Sequence, residues 1–337
     1  MKRTLLSGFM LSLLCAAALV FAVVWRAAAS DCAKTSTGLV PLTDLGPGFY
    51  QGKQGGLYPG GSNTCPDAHL EAGLQIANSI VPLKANGRPK QKGSIVLLSI
   101  GMSNTTMEFS MFKPMADADP GKNPKLVIVD GAQGGMAANI IANPSDPKYQ
   151  QFWQTVDDRL EQAGVTGKQV QIAWVKQADI RPTEAFPGDA MTLQNELEEI
   201  ARLLVQRFPN IKIAYYSSRI YGGYASTNLN PEPFAYESGF AVKWMIEKQI
   251  NGSAELNYNP SRGAVKAPWL GWGPYLWADG LLPRSDGLTW SCSQYLDDGT
   301  HPAPGAGGAR ERVADMLMDF FKNDSTAKPW FLASRLE

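Results

Sequence analysis

A chain of 337 residues, 44% hydrophobic and 18% charged, is long enough to bury a full core. Lys plus Arg and Asp plus Glu number 31 each, so the net charge is zero and there is no electrostatic footprint for nucleic acid or for an anionic membrane surface. Four cysteines and two histidines form no cluster with metal-ligand spacing, so neither a metal nor another cofactor is expected.

Lys2 and Arg3 precede a largely apolar run from Leu5 to Trp25, and Arg26-Ala27-Ala28-Ala29-Ser30 then offers small residues suited to a signal peptidase. Residues 1–30 are read as a secretory signal peptide cut near Ala29 or Ser30. The mature chain is then secreted or periplasmic, with no stable membrane partner. The alternative is an uncleaved signal anchor, since the run is nearly long enough to span a bilayer. Leu14 stands before Cys15 where a lipoprotein acceptor needs a small residue, so Cys15 is not read as lipidated. Export allows one bridge among Cys32, Cys65 and Cys292: either Cys32–Cys65, stapling the Gly/Pro-rich N-terminal region, or Cys65–Cys292.

Residues 31–90 are rich in Gly, Pro, Ser and Asn, as in "GPGFYQGKQGGLYPGGSNTCPDAH", and read as an extension wrapping a domain, with a short helix in 69–83. Strand-like runs follow at 94–100, 125–130, 168–175 and 210–218. Helical patterns occupy 149–164, 189–209, 233–250 and 307–321. Short apolar strands alternating with amphipathic helices predict a three-layer α/β/α sandwich around a central parallel sheet over 91–325, leaving 326–337 as a C-terminal tail. Ligands of such sheets bind outside the carboxyl ends of the strands.

The residues after each strand therefore matter most. "SIVLLSI" ends in Gly101-Met102-Ser103-Asn104, where Ser103 opens a helix whose free N–H groups favour negative charge; its bland role is an N-cap. The second strand ends in "DGAQGG" (130–135), which lacks a P-loop lysine and reads as a positive-φ turn or as exposed N–H groups aimed at an oxyanion. Gln177, in "WVKQAD" after the third strand, offers an amide donor, though a loop glutamine is usually just solvated. Near the end, "LDDGTHPAPG" sets Asp298 three residues before His301, a spacing at which the carboxylate can orient the imidazole. His69 is the only other histidine, so the choice of base is nearly made by elimination.

This ordered set resembles the SGNH/GDSL hydrolase superfamily from about Gly93 to Phe321. The resemblance implies a flavodoxin-like α/β/α fold and a cofactor-free serine esterase with Ser103 as nucleophile and His301 and Asp298 completing a triad. It places the Ser103 N–H, the Gly134 N–H and Gln177 around the oxyanion. Two blocks depart from the usual pattern: Gly-Met-Ser-Asn replaces Gly-Asp-Ser and is closer to the Gly-Gln-Ser-Asn of the sialate and xylan acetylesterase branch, and "KQAD" replaces Gly-x-Asn-Asp. The implied substrate is a small acyl ester, with acetyl on carbohydrate as the refinement. Asn104, Arg219 and Tyr221 are candidates for substrate contact. "SSRIYGGYA" and "WLGWGPYLWADG" are mostly packing residues, but over a cleft their rings would suit sugar stacking. The alternatives are a non-catalytic secreted carbohydrate-binding protein on the same fold, or a lipase or phospholipase, for which no amphipathic lid is visible.

Overall fold

The computed structural model describes residues 29–333. Residues 1–28 of the expected signal peptide, Cys15 among them, and residues 334–337 of the expected tail lie outside the described residues. No helix among the described residues is long and apolar enough to cross a membrane.

Five strands form the central sheet: β1 (Ile95–Gly101), β2 (Leu126–Asp130), β3 (Val170–Lys176), β4 (Ile213–Tyr216) and β5 (Trp269–Trp272). All neighbours pair parallel, in the order β2-β1-β3-β4-β5. That is the flavodoxin-like order, which reverses between β1 and β3. Every residue of β1, β3, β4 and β5 is buried, because helices cover both faces and no strand needs a polar side.

The main helices are α1 (Asp67–Asn78), α2 (Ser103–Ala118), α3 (Tyr149–Gln162), α4 (Gly188–Arg207), α5 (Phe234–Ile250) and α6 (Ala309–Asn323). α2 packs on α6 and α4 packs on α5. Right-handed crossovers between parallel strands place α3, α4 and α5 on one face and return α6 to the face of α2.

β5 falls in the aromatic stretch 269–280, outside the strands expected from sequence. Trp269, Trp272, Tyr275 and Trp277 are all buried, so these rings form packing and not a sugar platform. The Trp269 indole N–H donates to the His69 carbonyl, and that of Trp277 donates to Glu232.

The N-terminal extension is clamped onto the domain. The Asp279 carboxylate accepts from the Ser36 hydroxyl, from the Thr37 and Gly38 N–H groups and from the Thr37 hydroxyl. The disulfide joins Cys32 to Cys292, with Cα atoms 5.3 Å apart, and Cys65 is the free thiol. Neither pairing expected from sequence is present. Cys65 instead packs beside Tyr58, and its burial pushes the thiol up to about 11 despite the hydrogen bond from Tyr58. The segment after α6 is no loose tail either: Lys328–Phe331 is helical, and Trp330 and Phe331 are buried against Phe321.

Candidate active site

The close of β1 explains its glycine. A Cβ on Gly101 would lie 2.3 Å from Thr105 Oγ1 and 2.5 Å from the Lys176 carbonyl, so only a hydrogen fits between helix and neighbouring strand. Met102 is the extended N-cap residue, and Ser103 is the first residue of α2. Ser103 therefore does not cap the helix; its Oγ lies 2.8 Å from His301 Nε2.

The loop carrying His301 is built around Asp298. Its Oδ2 accepts from His301 Nδ1 at 2.5 Å, and its Oδ1 accepts from the backbone N–H of Thr300 and of His301 at 3.0 and 2.9 Å. Gly299 sits at φ +63°, with the place of a Cβ filled by the Tyr224 carbonyl at 1.9 Å. A side chain there would push the loop off the segment that it packs against. Partial burial raises the Asp298 carboxyl, but the His301 ring, then the two backbone donors, outweigh it and bring it down to about 2. The carboxylate stays ionised and fixes the imidazole so that Nε2 faces Ser103.

The remaining candidates part company. Gly134 is exposed next to Ser103, where an added Cβ would come within 4.0 Å of the Ser103 Cβ. The Gln177 side chain is buried and donates to the Met136 carbonyl at 2.9 Å, tying the 131–137 turn to the end of β3. Its amide braces the turn and is spent on the Met136 carbonyl. Asn104 is buried and donates to the Thr300 carbonyl at 2.9 Å, so it holds the histidine loop. Tyr221 packs against Tyr224 and Trp277 and donates to the Lys34 carbonyl. It anchors the N-terminal extension away from the site. His69 is buried against Trp269 and bonds the Leu270 carbonyl, and desolvation lowers its pKa.

Ser103 and His301 open onto a cleft of about 210 Å³. Met102, Ala137, Ile180 and Leu229 supply its apolar walls, and Asn104, Arg219, Asn230 and Thr300 its other polar residues. Beneath it lies a buried ion pair that motif reading did not find: Lys176 Nζ reaches Glu108 Oε1 and Oε2 at 2.5 and 2.6 Å, with both side chains fully shielded. Desolvation lowers Lys176 to about 8 and raises Glu108, and each opposes the other's shift. The signal was present in sequence as a lysine ending an apolar strand and a glutamate five residues after Ser103.

No family model matches the chain, and no curated protein matches it. Among solved structures it is similar to a protein from Bacteroides fragilis provisionally named an acylhydrolase, at 12% identity over 79% of this chain and 100% of that one, with a TM-score of 0.39. A protein from Parabacteroides merdae provisionally named a GDSL-like lipase matches at 11% identity over 74% and 99%, TM-score 0.36. The periplasmic domain of a lipopolysaccharide acetyltransferase from Salmonella ser. Paratyphi A matches at 13% identity over 77% and 97%, TM-score 0.36. Likeness at this level transfers none of their activities. In its own sheet order and layers, the chain is a flavodoxin-like α/β/α sandwich.

Proposed function

We propose that the chain is an extracytoplasmic serine esterase acting on small acyl esters. The observation that carries this reading is the continuous hydrogen-bond path from Ser103 Oγ through His301 to Asp298. His301 Nε2 takes the Ser103 proton as Oγ attacks the ester carbonyl, and Asp298 stabilises the imidazolium that forms. The Ser103 N–H, free at the first turn of α2, and the Gly134 N–H are the donors for the oxyanion. His301 then protonates the departing alcohol. Water enters, gives its proton to the imidazole, attacks the acyl-enzyme and releases the acid.

With apolar walls, a cleft of this size suits a short acyl chain. Acetylated carbohydrate remains the substrate refinement that the superfamily resemblance implies, now without support from the buried aromatics. The Cys32–Cys292 disulfide fits an oxidising compartment outside the cytoplasm.

Labelling by a fluorophosphonate probe tests the reading. Wild type labels and hydrolyses p-nitrophenyl acetate, and Ser103→Ala does neither. A folded wild type that stays unlabelled and inactive on p-nitrophenyl acetate overturns it and leaves a non-catalytic binding protein.

A further inference from the structure

Arg219 is 1% exposed and lines the cleft with Ser103 and His301. Its Nε and Nη1 have no hydrogen-bond partner. Unpartnered donors on a buried guanidinium are costly, since desolvation of a charge needs a counter-charge or hydrogen bonds to offset it.

The neighbouring carboxylates do not supply them. Glu108, Glu232 and Asp298 all act on Arg219 electrostatically, yet each is committed elsewhere. Glu108 gives both oxygens to Lys176. Glu232 accepts from the Gly222 and Tyr236 N–H groups and from the Trp277 indole. Asp298 is held by His301 and Thr300.

Asn230, another residue of the cleft lining, carries a second orphan. Asn230 is 5% exposed and lines the cleft; its Nδ2 donates to the Asp179 carbonyl, which fixes the amide orientation, and its Oδ1 has no partner. The cleft is thus lined by an arginine with two unpartnered, shielded donors and by an asparagine with one unpartnered acceptor.

We propose that this end of the cleft is a receptor for a carboxylate carried by the substrate, with Arg219 as its cation and Asn230 accepting from a hydroxyl or N–H beside that carboxylate. This deepens the esterase reading and rests on it. Lys176 is paired with Glu108, and no neighbouring carboxylate hydrogen-bonds the Arg219 guanidinium, so a monoanion matches this single cation better than a phosphate dianion. The preferred substrates are then esters of hydroxy acids or hemiesters of diacids, and not neutral esters of the same length.

The test compares mono-p-nitrophenyl succinate with p-nitrophenyl butyrate, and separately measures thermal stabilisation of Ser103→Ala by succinate. Wild type should favour the anionic ester in kcat/KM by about 10- to 100-fold, the range of a hydrogen bond to a charged group. Arg219→Met should lower that ratio at least about 10-fold, and Arg219→Lys should retain part of it. Succinate should raise the Tm of Ser103→Ala in a concentration-dependent way that is lost in Ser103→Ala/Arg219→Met. Equal or inverse preference in wild type together with no succinate stabilisation overturns the carboxylate receptor while leaving the esterase intact. If neither ester turns over but succinate still stabilises through Arg219, the receptor stands and the esterase reading fails. Should Arg219→Met not fold, the wild-type ratio and the Arg219→Lys variant decide the matter.

Discussion

Ser103 Oγ and His301 Nε2 stand 2.8 Å apart across 198 residues of chain, one at the start of α2 and the other in the loop before α6. The meeting follows from topology: α2 and α6 pack together on one face of the sheet, and both begin at its carboxyl rim. Ser103→Ala removes the proposed nucleophile without touching the core. We expect kcat on p-nitrophenyl acetate to fall by about 10⁴-fold or more with the unfolding free energy changed by under about 0.5 kcal/mol. Stopped-time assays and urea titration of the same preparation check both halves.

Asp298→Asn keeps the loop's shape and removes the charge that holds the imidazole. The expected fall in kcat is about 10⁴-fold, from misorientation and the wrong tautomer. Stability carries a second signature. The folded-state value of about 2 lies below the unfolded carboxylate value, so the stabilisation from this group is complete above about pH 4 and is lost as pH falls towards 2. Unfolding free energies of wild type and Asp298→Asn should therefore converge as acid is added across that window. A gap that stays constant down to pH 2 assigns the low value to the wrong group.

How much of this is legible without coordinates differs by element. Aliphatic strands announce themselves, so β1 to β4 are placed within three residues of their observed ends. β5 is hidden because Trp-Leu-Gly-Trp has neither an alternating pattern nor a β-branched run. Ser103, Asp298 and His301 are readable as candidates because a parallel sheet delivers every post-strand turn to one rim. Residue type alone does not say where an amide points, and Gln177 and Asn104 spend theirs on backbone carbonyls. Nor does spacing choose a disulfide: Cys32 finds Cys292, 260 residues away, because the extension folds back over the end of the domain.

Gln177 offers a direct measure of bracing against catalysis. Gln177→Leu leaves the Met136 carbonyl unpaired in a buried place, at a cost of about 1–3 kcal/mol in stability. Because the amide supports the turn and not the oxyanion, kcat should drop by about 10-fold or less. A loss of about 10²–10³-fold at unchanged stability, the mark of an oxyanion donor, contradicts that assignment.

The disulfide closes a loop of 260 residues and ties the extension to the stretch leading into the catalytic loop. Cys32→Ser/Cys292→Ser should lose about 2–5 kcal/mol of stability in denaturant titrations. Limited proteolysis should then cut first in residues 30–40, which the weaker clamp of Asp279 and Tyr221 would still hold. Unchanged stability under reducing conditions argues that the clamp suffices.

The buried pair Glu108–Lys176 makes the sharpest energetic prediction, because the same two residues give opposite results singly and together. Glu108→Gln leaves the Lys176 ammonium without a counter-charge in a fully shielded position, where breaking one partner of a buried pair costs about 3–5 kcal/mol. Lys176→Met strands the Glu108 carboxylate in the same way. The double variant Glu108→Leu/Lys176→Met removes both desolvation penalties along with their attraction, and should recover most of the loss. The double-mutant cycle then shows a coupling of several kcal/mol. Additive single effects indicate that Lys176 sheds its proton inside the fold, as its value of about 8 allows above that pH, so the cycle is run at pH 6 and at pH 9, with the larger coupling expected at pH 6.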